Sequence, residues 1–264
     1  MSFIKYPRTP HLVGSRLQPG DSAAGQIPWE QLRDGRLIFE EKIDGANAAV
    51  SFDASGQLML QSRGHVLTGG AREAQFALFK AWAQTHERVF FNLLERRYVM
   101  FGEWCFAKHT VFYDRLPHYF HEFDIYDRER DTFLSTPCRH KMLAGLPIVS
   151  VPVVHEGPLP KGVSLKALIK HSLYKSEQWR EMLKDAAIEA GIDVDRALKE
   201  TEDSNLAEGL YLKHEDDDRV IGRHKFIRAD FHQAILDSGS HWRDRPIVPN
   251  QLAPGVDLFS GGIS

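Results

Sequence analysis

The chain has 264 residues and a formal net charge of -3 at pH 7, which argues against a protein whose whole surface attracts nucleic acid. This length suits one large domain, or one domain with an appendage, with a substantial buried core. No apolar run approaches membrane-spanning length and residues 1–20 lack a signal-peptide core, so we expect a cytoplasmic protein with no membrane partner. Cys105 and Cys138 are isolated, which predicts neither a disulfide scaffold nor a zinc site.

Residues 1–36 form a predicted N-terminal arm, because proline and glycine interrupt them too often for long helices or strands. Lys5, Arg8 and His11 are candidates for contacts to phosphate groups of a ligand. The alternative, which we favour, is an arm that packs on the surface of the domain.

A predicted strand from Leu37 leads into the segment Glu41-Lys42-Ile43-Asp44-Gly45-Ala46-Asn47. A lysine at a strand end can attack a phosphorus atom only as the neutral amine, so its pKa must fall from about 10.4 through burial or nearby cations. Asp44 lies two residues along the strand, on the same side as the lysine. The glycine after it allows close approach of the backbone to a ligand. The alternative is that Asp-Gly is simply a turn.

Alternating apolar residues predict a strand over residues 48–52, a turn over 53–56 and a returning strand that ends near Arg63. Helical spacing predicts one or two amphipathic helices between residues 71 and 97. Further strands are predicted over residues 98–106, which carry Glu103, and over 120–126, which carry Phe123. Each of two candidate binding residues also has a structural alternative. Arg63 could form a salt bridge at a strand end, and Phe123 could be a residue of the hydrophobic core.

Residues 160–200 read as a helical insertion, with Gly191 as a helix stop and Asp193 as a cap. Lysines on a helix usually face solvent, but four in this insertion are candidates for RNA contacts: Lys161, Lys166, Lys170 and Lys175.

A strand from Glu208 to Lys213 follows. Arg223 and Lys225 belong to a local cluster of cations, and a short helix is predicted over residues 229–238. The Pro- and Gly-rich tail, residues 241–264, is predicted to be draped over the domain or frayed.

Six segments, in order, resemble motifs of the ATP-dependent RNA ligases, within the covalent nucleotidyltransferase superfamily that also includes DNA ligases and capping guanylyltransferases. They are Lys42-Ile43-Asp44-Gly45 with Asn47, Ser62-Arg63-Gly64, Phe101-Gly102-Glu103, His121-Glu122-Phe123-Asp124-Ile125-Tyr126, Glu208-Gly209-Leu210-Tyr211-Leu212-Lys213 and Arg223-His224-Lys225. The segment between the third and fourth of these, which contains His109, also resembles the RNA ligase branch.

This resemblance implies an α+β nucleotidyltransferase domain (an ATP-grasp-like ligase), residues 37–240, built from antiparallel sheets with flanking helices and a nucleotide cleft between them. It implies that Lys42 forms a lysyl-AMP intermediate with ATP, that Glu103 binds the ribose and that Phe123 stacks on the adenine. It implies that Glu208 positions Mg2+, for which Mn2+ can substitute, through the water shell of the ion. The complete set of implied nucleotide-binding residues is Glu41, Asp44, Asn47, Arg63, Glu103, Phe123, Glu208, Lys213, Arg223 and Lys225.

The implied reaction joins RNA 5'-phosphate and 3'-hydroxyl ends, as in RNA repair, and a partner protein is one possible source of substrate selection. The chain departs from the family at Arg223, where the fifth motif normally carries lysine; arginine keeps the charge but changes the hydrogen-bond geometry. Too few residues follow Lys225 for the oligonucleotide-binding (OB) barrel of DNA ligases, so we expect no C-terminal OB barrel. The alternatives are a DNA ligase, a capping-type guanylyltransferase and a non-catalytic RNA-binding module.

Overall fold

The computed structural model describes residues 3–17, 21, 25–32, 36–160, 162–231 and 246–260. The strands are β1 (Arg36–Lys42), β2 (Ala46–Phe52), β3 (Leu58–Ser62), β4 (Tyr98–Trp104), β5 (Phe120–Asp127), β6 (Thr132–Phe133), β7 (Val149–Ser150), β8 (Val153–Glu156), β9 (Gly209–Glu215) and β10 (Val220–Ile227). The α-helices are α1 (Ala77–Thr85), α2 (Glu87–Leu94), α3 (Thr136–Leu143), α4 (Trp179–Glu189) and α5 (Val194–Lys199). Short 3-10 helices span Trp29–Gln31, Ala71–Phe76 and Leu165–Leu168.

The strands form two sheets, one in the order β10-β9-β1-β8 and one in the order β3-β2-β4-β5-β6, with β7 added beside β5. All neighbouring strands are antiparallel except the β5 and β7 pair. The predicted mixture of antiparallel sheets and helices is therefore confirmed. None of the helices in the described part of the chain is both long and apolar enough to cross a membrane.

The four-stranded sheet has one apolar face and one polar face. Lys42 lies opposite Gly209, and Tyr211 lies opposite both Glu40 and Lys225. Cross-strand partners point to the same side of a sheet, so these side chains share the polar face. Alternate residues fill the opposite face, where leucine and phenylalanine side chains form a buried cluster. The period-two pattern of the sequence thus determines which face receives the lysine.

The second sheet packs against α1 and α2 through large aromatic side chains. Phe79, Trp82 and Phe90 are almost completely buried, and they join Trp104 and Phe120 in the largest core cluster. Each such side chain contributes roughly 1.5–3 kcal/mol by leaving water. This core supports the strands that carry Glu103 and Phe123.

The N-terminal arm crosses from one sheet to the other; we call residues 4–12 the strap. Gln61 Nε2 on β3 donates to Ile4 O at 2.7 Å, and Tyr6 Oη donates to Asp124 Oδ2 on β5 at 2.5 Å. At the other end, Leu12 N donates to Lys225 O on β10 at 2.9 Å. The strap therefore ties the two sheets together at the edge of the space between them.

Residues 162–200 contain the helices α4 and α5, and the turn Leu165–Leu168 is a 3-10 helix. Gly191 has φ 67 after α4, and Asp193 accepts a hydrogen bond from Arg196 N, as predicted for a helix stop and a cap. Of the insertion lysines, Lys161 lies outside the described residues. Lys175 packs over the Trp179 ring, with its amine 3.6 Å from the ring centroid.

The described part of the tail differs from a draped or frayed segment. Lys108 N donates to Val248 O at 2.8 Å, and Gln251 N donates to Tyr113 O at 2.9 Å. The tail is thus hydrogen-bonded like a strand to the loop that follows β4. Most of the helix predicted over residues 229–238 lies outside the described residues.

Candidate active site

A cavity of about 930 Å³ lies between the two sheets, at the edge where the strap crosses. This volume is within the range of small-molecule sites. Eight of the predicted site residues line it: Lys42, Asp44, Asn47, Arg63, Glu103, Phe123, Glu208 and Lys225. These residues come from both sheets and from all six motif segments, so folding brings distant parts of the sequence to one place.

Lys42 Nζ donates to Glu208 Oε2 at 2.7 Å, which forms an almost buried ion pair. Burial lowers the pKa of Lys42, but Glu208, Tyr211, Asp44 and Glu103 outweigh burial, and the net pKa is raised. The amine is therefore an ammonium group in the nucleotide-free protein. This differs from the expectation of a lowered pKa, because sequence order does not reveal how closely carboxylates surround the lysine in the folded protein.

Three carboxylates share this one ammonium group. Burial, with Asp44 and Glu208 nearby, raises the pKa of Glu103 to about 8, although Lys42 opposes the shift. Burial also raises the pKa of Glu208, against the same opposing effect of Lys42. A cation bound beside these buried carboxylates would favour their charged forms.

Asp44 holds a neighbouring loop. Its Oδ2 accepts hydrogen bonds from the backbone N–H groups of Thr110 at 2.7 Å and Val111 at 2.8 Å. The next residue, Gly45, packs closely against the backbone of β4, since a Cβ atom at this position would lie 2.7 Å from Trp104 O. The glycine of the first motif is thus needed for close packing against β4.

Two aromatic rings line the cavity. Phe123 and Tyr211 are nearly parallel, at 9°, with centroids 6.5 Å apart. The ring of Tyr6, on the strap, contacts Phe123 edge-on at 5.1 Å. Aromatic faces of this kind stack on nucleobases. Tyr211 was missed by the sequence reasoning, although its alternation with Gly209 and Lys213 on one strand was a usable signal.

Other polar groups in the cavity are open to a ligand. Asn47 Oδ1 is buried, with no hydrogen-bond partner among the described residues. Arg63 is exposed and makes no ion pair with any residue of the described ranges. Lys225 Nζ lies 3.4 Å from Asp21 Oδ1. Burial lowers the pKa of Lys225, and Asp21 partly opposes this effect.

Glu41 does not line the cavity. Neighbouring residues of a strand point to opposite faces, so Glu41 points away from the side of Lys42. Its Oε1 accepts a hydrogen bond from Ser172 Oγ at 2.5 Å, and burial raises its pKa. The expected contact between the Glu41 side chain and the nucleotide is therefore wrong in this structure.

Lys213 and Arg223 lie behind the cavity wall, contrary to expectation. Lys213 Nζ is 3.0 Å from Glu40 Oε2 and 3.3 Å from Asp124 Oδ1. Arg223 Nη1 is 3.2 Å from Asp124 Oδ2, and its guanidinium lies 3.7 Å from the Phe133 ring centroid. Both cations are neutralised by buried carboxylates, which the motif pattern did not reveal.

Arg139 completes this buried ion-pair network. Its guanidinium is fully buried and donates to both Glu122 oxygens at 2.7 Å and to Glu40 Oε1 at 2.8 Å. Glu122 lies on β5 and Glu40 on β1, so the arginine links the two sheets.

No group of three His, Cys, Asp or Glu side chains within the described ranges is arranged to bind a metal ion directly. Glu208, Glu103 and Asp44 still supply carboxylate oxygens at the cavity wall. Magnesium keeps several waters and usually takes one or two carboxylates plus phosphate oxygens. The donor set fits such a hydrated ion better than a protein cage.

Comparisons with known proteins place the chain in a family. Residues 35–227 match the RNA ligase family model. Solved structures similar to this chain include an archaeal ATP-dependent RNA ligase, with 16% identity, a TM-score of 0.49, and coverage of 88% of this chain and 50% of that one. A Naegleria gruberi RNA ligase has 18% identity and a TM-score of 0.49, with coverage of 80% of this chain and 53% of that one. A variant of that ligase with ATP and Mn has 15% identity and a TM-score of 0.47, with coverage of 87% of this chain and 60% of that one.

The chain thus spans about half the length of the first of these solved chains. A comparison with curated proteins finds no match. The family model covers well over half of the chain and includes every motif that lines the cavity. The protein therefore belongs to the RNA ligase family, as its motifs predicted.

Proposed function

We propose that the protein is an ATP-dependent RNA ligase that joins RNA 5'-phosphate and 3'-hydroxyl ends through lysyl-AMP and adenylylated RNA. The observation that carries this proposal is the position of the Lys42 amine, in a cavity of about 930 Å³ that Glu103, Glu208 and Phe123 also line. A primary amine, acidic groups and an aromatic face in one cavity suit covalent nucleotidyl transfer.

In the first step the lone pair of the neutral Lys42 amine forms a bond to the α-phosphorus of ATP. The bond from that phosphorus to the bridging oxygen breaks, and pyrophosphate leaves. The amine must first lose a proton, and Glu208, at 2.7 Å, is the nearest carboxylate to receive it. The AMP then passes to the RNA 5'-phosphate, and a 3'-hydroxyl displaces AMP to seal the strands.

The other cavity residues have roles that follow from their chemistry. Phe123 and Tyr211 stack on the adenine, and the Glu103 carboxylate accepts hydrogen bonds from the ribose hydroxyls. Lys225 and Arg63 bind phosphate oxygens, which requires the Asp21 contact of Lys225 to be exchanged for the ligand. Bound magnesium, held through Glu208 and water, would neutralise charge on the phosphates.

The test is incubation with α-labelled ATP and magnesium, followed by a chase with nicked RNA. We expect label on the wild type, none on Lys42→Ala, and transfer of the label to the RNA 5' end. An adduct with GTP but not ATP would support a guanylyltransferase, and sealing of DNA nicks alone would support a DNA ligase. Absence of any adduct would leave a non-catalytic RNA-binding module.

A further inference from the structure

The C-terminal segment, residues 246–256, lies outside the part of the chain that matches the family model. It nevertheless packs against the loop after β4, residues 105–116, which carries two residues of the cavity wall, His109 and Thr110. Backbone hydrogen bonds join the two segments in both directions, for example from Leu116 N to Gln251 O at 3.0 Å. This arrangement connects the tail to the active site.

Asn250 is the centre of this contact and is almost completely buried. Its Oδ1 accepts from Tyr113 N at 2.9 Å, and its Nδ2 donates to Cys105 O at 2.8 Å. Its backbone N donates to Phe106 O, and its backbone O accepts from Tyr119 Oη, both at 2.8 Å. Three of these four hydrogen bonds hold the loop and the fourth goes to Tyr119, just beyond it; the asparagine side chain supplies both a donor and an acceptor.

The chain of hydrogen bonds continues to the first motif. Asp44 N donates to Tyr113 Oη at 2.9 Å, while Asp44 Oδ2 accepts from Thr110 N and Val111 N. Asp44 follows Lys42 by two residues. The turn that carries the lysine is therefore attached to the loop at both the backbone and the side chain of one aspartate.

We propose that Asn250 and Tyr113 are positioning residues, which hold the Lys42 turn against the loop after β4 so that the amine faces the α-phosphate of ATP. This inference rests on the proposed function. Buried, fully satisfied networks hold one geometry, and loss of one member leaves another polar group unpaired. A displacement of the attacking atom by about 1 Å is enough to slow a reaction by roughly 100-fold.

The decisive comparison is Tyr113→Phe against Tyr119→Phe. Each variant loses one hydroxyl: the Tyr113 hydroxyl accepts a hydrogen bond from Asp44 N, whereas the Tyr119 hydroxyl donates to Asn250 O and does not reach Asp44. The hydrogen bond from Tyr113 N to Asn250 Oδ1 is kept in both variants. We expect Tyr113→Phe to lower the single-turnover rate of Lys42 adenylylation at saturating ATP by at least about tenfold. The KM for ATP and the melting temperature should change by similar amounts in the two variants. An equal rate in wild type and Tyr113→Phe would overturn the proposal.

Asn250→Asp tests the next link. It keeps an acceptor for Tyr113 N but loses the donor to Cys105 O, so we expect a rate loss in the same step. Because the two residues act along one path, the Tyr113→Phe, Asn250→Asp double variant should lose much less than the product of the single losses. If the rate loss of the double variant equals the product of the two single losses, the two residues do not act along a shared path.

A second measurement does not depend on catalysis. Hydrogen exchange at the amides of Asp44, Thr110 and Val111 should be faster in Tyr113→Phe than in wild type and unchanged in Tyr119→Phe. If the wild type forms no adduct with any nucleotide, the proposed function fails, and this exchange pattern alone decides the positioning role. Unchanged exchange at these three amides would refute it.

Discussion

Substitution of Glu103 by glutamine tests the crowding of acidic groups around Lys42. Burial, with Asp44 and Glu208 nearby, raises the pKa of Glu103 to about 8, against the opposing effect of Lys42. The folded protein therefore keeps a proton on this carboxyl at pH values where the unfolded chain has released it. Stability from this group is complete below about pH 4.5 and is lost as the pH rises through about 8.

The size of the effect follows from the same values. A pKa raised from 4.5 to about 8 corresponds to about 5 kcal/mol, and partial exposure of the side chain reduces this to about 1–3 kcal/mol. Because glutamine resembles the protonated acid and never ionises, Glu103→Gln should equal the wild type near pH 5. At pH 8.5 it should be more stable by about 1–3 kcal/mol.

Urea denaturation of both proteins at about pH 5, 7 and 8.5 measures this difference. Glu177→Gln is the matched control, since Glu177 is exposed. A stability difference that does not change with pH would refute the reasoning. Above about pH 8, where Glu103 is ionised, we also expect Glu103→Gln to bind ATP more weakly than the wild type, because an amide accepts hydrogen bonds from the ribose hydroxyls less well than a carboxylate.

Three further substitutions test the packing around the site. Gly45→Ala places a Cβ 2.7 Å from Trp104 O, so it should lower the unfolding free energy by about 1–3 kcal/mol and remove most of the adenylylation rate. Gly64→Ala, whose Cβ meets open space, should leave the unfolding free energy unchanged. Arg139→Met leaves buried carboxylates without their partner and should cost about 3–5 kcal/mol by urea denaturation; a loss under about 1 kcal/mol would contradict this. Burial lowers the pKa of His121 to about 3, so the unfolding free energy of the wild type should fall by about 2 kcal/mol as the pH is lowered from about 6.5 to 5. His121→Leu should remove this pH dependence. Parallel curves of unfolding free energy against pH for the two proteins would contradict the prediction.

The sequence predicted the convergence of Lys42, Glu103 and Glu208 because motif order and strand alternation are local properties. Alternating residues fix which face of a strand carries a side chain. The same rule, applied to Glu41, indicates a side chain that points away from the cavity, whereas the family resemblance implied that Glu41 binds the nucleotide. Local pattern was the better guide at this position.

The environment of Lys213 and Arg223 was not predictable in the same way. Their neutralising partners Glu40 and Asp124 lie far away in sequence, and a motif does not report which carboxylates fold against it. The contact of Asn250 with the loop after β4 was missed for the same reason. A proline-rich tail has little periodicity, so its pairing with a distant segment leaves no sequence signal.

The strap has a practical consequence for experiments on this protein. Tyr6, Pro7 and Thr9 form part of the cavity wall, and Ile4 is hydrogen-bonded to β3 only two residues before Tyr6. A substitution at Tyr6, Pro7 or Thr9 would thus change the wall of the cavity and the tie between the two sheets together. A kinetic constant measured on a strap variant therefore needs a stability measurement beside it, so that the two effects can be separated.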